Sequence, residues 1–165
     1  MEADCIHEAL KPIAWLSGRW YTVTGRGSYP SVREFGYHEE LEFICLGQPM
    51  FNFLSISHHP EKGTVMHQER GFLRIYPEKE KVALVVSHNI GLTTIEEGHY
   101  DCNLKEIKLA SVSIARTSFS KPPQVTNLLR EFILLSPDSL QVTVFMKTDK
   151  KPLSQHLKAV YKKVE

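Results

Sequence analysis

Residues 140–146, LQVTVFM, alternate cleanly: Leu140, Val142, Val144 and Met146 share one face, Gln141 and Thr143 the other. A period of two is the signature of a β-strand with one side on an interior. Residues 81–88, KVALVVSH, repeat it, with Val82, Leu84, Val86 and then His88 on one side. Such strands need a partner sheet, or a sheet closed on itself, to cover the apolar face.

Weaker alternation runs over residues 37–46, 49–57, 64–76, 91–100, 105–115 and 125–135, with further runs at about 18–24 and 155–163. Turn signals separate them: LGQP at 46–49, HHPEKG at 58–63, PEKE at 77–80, HNIG at 88–91, SKPP at 120–123 and SPDS at 136–139. About ten strands with short connections predict an antiparallel meander, and closure into a barrel hides its edges most simply. The expected fold is therefore all-β, an up-and-down barrel. About eight strands already suffice to hold a small ligand, so a wider barrel should contain a cavity. One stretch departs from the strand pattern: LKPIAWLSG, residues 10–18, where Pro12 suits a first helical turn and Gly18 a helix stop. It predicts a short N-terminal helix plugging one end.

The 165 residues fit one domain, 1–165, with 42% hydrophobic content. Twenty Lys and Arg against nineteen Asp and Glu leave a formal charge of +1, which supplies no field to draw in nucleic acid or an anionic membrane. Cys5, Cys45 and Cys102 are odd in number and widely spaced, matching neither a disulfide framework nor paired zinc ligands. The acidic start and the lack of an apolar run of signal-peptide or membrane-span length predict a soluble, cytoplasmic protein, with the nucleus as the alternative.

Familiar catalytic motifs are absent from the sequence: there is no Gly-rich phosphate loop, no H-E-x-x-H and no nucleophile elbow. Glu39, Glu40 and Glu42 read as a solvated edge, because alternation parts 39 from the other two. His58 and His59 sit in a turn that reads as solvated. Polar or soft groups do occur on strand faces: His88 and Met146 each end an apolar face, and Met66 and His67 lie side by side, so that strict alternation admits only one of the pair to an interior. A packed or hydrogen-bonded role fits His88, and core filling fits Met146, as well as any ligand role does. Eight histidines without nearby cysteines do not suggest structural zinc. A haem iron differs, because four porphyrin nitrogens already hold it and one imidazole suffices. His156, in QHLKAVYKKV, is a candidate, and spacing alone leaves surface, packed and ligand roles open.

Read in order, GRWYTVTGRGSYPSVREFGYHEE, GQPM, MHQERGFLR, ARTSFSK and QHLKAVYKKV resemble the nitrobindin family from about Trp15 to Val164. The likeness is greatest to the nitrobindin domain that follows a THAP-type zinc-finger module in some animal proteins, and this chain is expected to stand alone. The resemblance implies a ten-stranded antiparallel barrel shaped like fatty-acid-binding proteins, holding ferric haem b near its mouth. It also implies isomerisation of peroxynitrite to nitrate and reversible binding of nitric oxide. It makes His156 the axial ligand and places Met66, His67, His88 and Met146 in the haem pocket, although glutamine is also usual at the site of His88. Ser31 stands where the family has a haem-contacting threonine after Tyr-Pro. Protonation of the axial imidazole would compete with iron, so haem should be lost well below about pH 6.5.

Two features sit awkwardly with that expectation. The family pattern G-x-W-x-G-x-G is met by Gly18 and Trp20, but Thr22 and Thr24 replace the later glycines, with Gly25 and Gly27 just beyond. Strict alternation from His156 also puts Lys158, Val160 and Lys162 on its side, leaving Leu157, Ala159 and Tyr161 as the better interior face. Either His156 precedes the regular strand, which KKPLSQ favours, or a bulge shifts the register. A non-enzymatic carrier of fatty acid or another apolar ligand is the alternative function, and it would have no use for His156. A third reading is an interaction module with a vestigial cavity.

Overall fold

The computed structural model describes residues 6–29 and 32–164, so Cys5 and Ser31 lie outside the described residues. Each alternating run forms a strand: β1 (Gly18–Tyr29), β2 (Val32–Cys45), β3 (Met50–His58), β4 (Val65–Tyr76), β5 (Lys81–His88), β6 (Leu92–Asp101), β7 (Glu106–Arg116), β8 (Val125–Ser136), β9 (Ser139–Thr148) and β10 (Ser154–Lys163). Every strand pairs antiparallel with its neighbours in sequence, and β10 pairs with β1, which closes the barrel. Closure satisfies the backbone groups that a free sheet edge would leave unpaired. Among the described residues no helix is long and apolar enough to cross a membrane.

The helix at residues 10–18 is instead a 3₁₀ segment, Glu8–Leu16, broken at Ile13, whose φ of −119° and ψ of 17° are not helical. Pro12 is the physical reason, since it lacks an N–H and obstructs the regular helical ladder. His7 caps the start by accepting from the Ala9 amide at 3.1 Å. At the far end the Trp20 indole donates to Leu16 O at 2.8 Å, tying the segment to β1. Leu10, Ile13 and Leu16 are fully buried in the main apolar cluster with Trp20, Phe43, Phe51 and Phe132, so the segment does plug one end of the barrel.

A smaller cluster, Leu92, Val125, Leu128, Val144 and Met146, lies at the other end of the strands. There the interior opens into a cavity. Three of the sheet's bulges shape its wall. In β1 the pairing steps from Thr22–Glu39 to Gly25–Tyr37, so β1 carries one residue more than β2. The inward positions become Trp20, Thr22, Gly25 and Gly27. That resolves the two misplaced threonines: the extra residue moves the glycine positions along the chain, and the Thr22 hydroxyl steadies the bulge by accepting from the Thr24 amide at 3.2 Å. A Cβ on Gly25 would lie 2.4 Å from the Tyr37 ring, and one on Gly27 would lie 2.4 Å from the Phe35 ring. The other two bulges carry candidate site residues.

Candidate functional site

The cavity measures about 830 Å³, inside the range of roughly 300–1,000 Å³ usual for ligand pockets. Its lining includes Tyr29, Phe35, Leu92, Leu128, Val144 and Leu157 together with His67, His88, Met66, Met146 and His156. The structure therefore brings five of the six sequence-derived candidates to one cavity; the sixth is Ser31.

His156 lies inside β10, in a bulge: Gln155 pairs with Phe145 and Leu157 with Val144, leaving His156 as the extra residue. Of the two explanations for its register, the bulge holds, not a position ahead of the strand. It lets His156 and Leu157 both line the cavity while Ala159 and Tyr161 continue the inward face at 3% and 1% exposure. The ring is fastened to β1, where Nδ1–H donates to Ser28 O at 2.5 Å. Ser28 Oγ in turn donates to Gln155 O at 3.1 Å. With Nδ1 carrying the proton, Nε2 keeps its lone pair. Burial holds the His156 pKa below the ordinary histidine value, which favours the neutral ring.

The third bulge corrects the expectation for Met66 and His67. Val65 pairs with His58 and Gln68 with Ile56, so two residues of β4 face one of β3 and both Met66 and His67 reach the cavity. Ser57 staples the bulge, its hydroxyl accepting from His67 N at 3.1 Å. Met66 sits at the rim, 37% exposed, whereas Met146 is buried at 7%. The His67 and His88 rings stack with centroids 5.3 Å apart. His88 Nδ1 lies 3.2 Å from His67 Nε2, and His88 Nε2 lies 3.0 Å from Thr94 Oγ1. Burial depresses both histidine pKa values, partly offset by the Glu69 carboxylate. In the closed strand order β5 is five strands from β10 in either direction, so His88 and His156 occupy walls across the barrel from each other.

Sequence reasoning missed the charged floor. Arg130 of β8 is 5% exposed and bonds to Glu69 and Glu96, with Nη1 at 2.8 Å from Glu69 Oε2 and Nε at 2.9 Å from Glu96 Oε1. Each residue occupies an inward position of its strand: His67, Glu69 and Leu73 in β4, Leu92, Thr94 and Glu96 in β6, Leu128, Arg130 and Phe132 in β8. A charge at an inward position on three separate strands was the available signal. Glu39 belongs here too, not on a solvated edge: it is 8% exposed and accepts from Ser55 and Tyr161, whereas Glu40 is exposed and Glu42 pairs with Arg19 at 3.2 Å. His59 does occupy the turn, where its ring accepts from the Glu61 and Lys62 amides, whereas His58 is the last residue of β3, paired with His38 and Val65.

The residues suit a haem group on structural grounds. One neutral imidazole with a free nitrogen stands in an apolar wall, and its other ring nitrogen is held by a carbonyl, the usual support for a metal-bound histidine. Fold and site together define a small-ligand-binding β-barrel with one wall histidine oriented to coordinate. The chain belongs to the nitrobindin family, matching the family model described as THAP4-like, heme-binding β-barrel domain over residues 9–163. It is 42% identical over 164 residues to the human protein named peroxynitrite isomerase THAP4, covering 99% of this chain and 28% of that one. The chain thus spans just over a quarter of that relative. It is 35% identical to peroxynitrite isomerase 1 of Mycolicibacterium paratuberculosis, covering 94% of each. Among solved structures, that of Rv2717c from M. tuberculosis superposes with a TM-score of 0.87 at 31% identity, over 97% of this chain and 99% of that one.

Proposed function

We propose that this chain binds ferric haem b through His156 Nε2, isomerises peroxynitrite to nitrate and binds nitric oxide reversibly. The observation that carries this reading is the tethered ring of His156, with Nδ1–H committed to Ser28 O at the wall of an apolar cavity. Relatives named peroxynitrite isomerase at 42% and 35% identity support the activity. Bound haem would supply a Lewis-acidic iron toward the peroxynitrite anion.

The chain's own contribution is binding and confinement. Burial of apolar ligand surface against Leu128, Val144, Met146 and Leu157 supplies affinity at about 25 cal/mol per Å². His156 sets orientation, because the hydrogen bond to Ser28 and the bulge fix its ring. Met66 and Met146 add soft walls that limit water and keep reactive fragments together.

The fatty-acid carrier fits less well. Such a carrier meets a carboxylate with a free buried arginine, and Arg130 is already bound to two carboxylates. Titration with hemin separates the readings. A sharpened Soret band that disappears in His156→Ala and persists in Met146→Leu is expected; an absorbance unchanged from free hemin rejects haem binding.

A further inference from the structure

The wall across from His156 holds a second constellation, and iron ligation through His156 makes no use of its donor atoms. His67, Glu69 and His88 are the group of ligating side chains among the described residues whose donor atoms lie within 4.8 Å of one another. His88 Nδ1 is 3.2 Å from His67 Nε2 and 3.4 Å from Glu69 Oε1. A tetrahedral zinc site with metal–ligand bonds of about 2.0–2.2 Å places its donors roughly 3.3–3.5 Å apart. Two of the three edges of such a site, at 3.2 and 3.4 Å, already lie close to that length.

The hydrogen bonds behind the histidines determine which lone pairs face inward. Arg130 donates to both oxygens of Glu96, Nε to Oε1 at 2.9 Å and Nη2 to Oε2 at 3.2 Å. Thr94 Oγ1–H also donates to Glu96 Oε2, at 3.0 Å. That hydroxyl has no proton left for His88, so His88 Nε2–H must donate to Thr94 Oγ1. The Nδ1 of a neutral His88 is then an acceptor, which His67 Nε2–H fills at 3.2 Å while the Glu69 carboxylate, another acceptor, stands 3.4 Å away. A cation in place of that shared proton meets the lone pairs of both rings and the Glu69 carboxylate together. The chain Glu96–Thr94–His88 also has the form of the outer hydrogen bonding that orients metal-binding histidines.

Charge points the same way. Glu69 and Glu96 are two buried carboxylates against the single guanidinium of Arg130. Glu39, the neighbouring buried acid, is pushed by burial toward its protonated form. Buried, uncompensated negative charge is costly, and a cation between Glu69 and the histidines neutralises it.

We infer that His67, Glu69 and His88 bind a divalent transition-metal cation of the zinc class, at a position distinct from that of the haem iron at His156. Two imidazoles and one carboxylate select against calcium and magnesium, which want mostly oxygen. Three protein ligands leave a fourth position, toward the cavity, for water or an anion.

The test is equilibrium dialysis of the chain against Zn²⁺, before and after hemin loading, with Co²⁺ as the spectroscopic substitute. One Zn²⁺ per chain is expected, with a Co²⁺ visible band characteristic of mixed nitrogen and oxygen ligands. His88→Gln and Glu69→Gln should lose binding by about 100-fold or more, and His156→Ala should leave it unchanged even where that variant no longer takes haem. Thr94→Val keeps all three ligands and removes the acceptor behind His88, together with the Thr94 hydrogen bond to Glu96. It should weaken binding about 10- to 100-fold, a readout that remains should a ligand variant fail to fold. Absence of saturable Zn²⁺ binding, binding indifferent to His88→Gln, Glu69→Gln and Thr94→Val, or binding abolished by His156→Ala would each overturn the site.

Discussion

Arg130 grips Glu69 through two roughly parallel hydrogen bonds beneath the cavity, Nη1 to Oε2 at 2.8 Å and Nη2 to Oε1 at 3.3 Å. With Glu96 held by Nε and Nη2, the guanidinium joins β4, β6 and β8 across the barrel interior. Its value to stability depends on completeness, since removing one member strands a buried charge whereas removing all of them need not. Arg130→Met should therefore lower unfolding stability by about 3–5 kcal/mol. Combining it with Glu69→Gln and Glu96→Gln should recover much of that loss. Urea unfolding of the parent, single and triple variants checks this, and equal instability of the single and triple variants contradicts it.

Acid should expose the same cluster. Burial alone would raise the Glu69 pKa, but the Arg130 charge, helped by His88 and His67, overrides it and lowers the pKa from 4.5 to about 2. A depressed carboxylate pKa means that the unfolded chain takes up the proton first. The stability due to Glu69 is thus complete above about pH 4.5 and is lost as pH falls toward 2. Unfolding free energies measured across that window should fall more steeply in the parent than in Glu69→Gln.

Glu39 has the opposite sign. Burial raises its pKa, so its favourable contribution belongs to low pH and declines as pH rises through the folded value. Glutamine presents one acceptor and one donor, as a protonated carboxyl does, and can still meet Ser55 and Tyr161. Glu39→Gln should be more stable than the parent at neutral pH, with the difference shrinking in acid. Thermal melts at two pH values decide the point.

The strands were legible because alternation and turn residues agree along this chain: KVALVVSH spans Lys81–His88 of β5 residue for residue. Bulges were not. One extra residue in a strand changes no composition, and only a conflict between two neighbouring faces reveals it, as at His156, where the better interior face began at Leu157. At Met66 and His67 alternation admitted one of the pair while the resemblance placed both in the pocket, and the extra residue of β4 resolves that conflict. The charged floor was hidden for a different reason. Glu69, Glu96 and Arg130 lie on three strands far apart in sequence, and each alone looks like a solvated residue. Only a consistent inward phase for β4, β6 and β8 would have collected them.

Close strand approach makes another prediction. A Cβ on Gly71 would lie 1.9 Å from Val85 O and 2.8 Å from Val86 Cα, both backbone atoms of paired β5. Neither can move without loosening the β4–β5 ladder. Gly71→Ala should cost about 1–3 kcal/mol or more. At Gly36 the nearest atom is the flexible Arg26 Nη1 at 3.3 Å, so Gly36→Ala should cost far less. Similar losses at the two positions in denaturant titrations contradict this account.

The neutralised state of Arg130 has a consequence for ligand choice. A free buried guanidinium would prefer a fatty acid over the corresponding alcohol, because a hydrogen bond to a charged group contributes about 1.5–3 kcal/mol, more than tenfold in affinity. In this barrel Glu69 and Glu96 already take up those donors, while Arg130 still borders the cavity. The parent protein, free of haem, should therefore bind oleate and oleyl alcohol with similar affinity, both held by the apolar walls alone. Glu69→Gln with Glu96→Gln removes the two internal carboxylates, and a ligand carboxylate becomes the best available partner for Arg130. That double variant should favour oleate over oleyl alcohol by about tenfold or more. Displacement of a fluorescent apolar probe reads both affinities. A parent that already prefers oleate would mean that Arg130 is not neutralised by its two neighbours, and the carrier function would regain its footing.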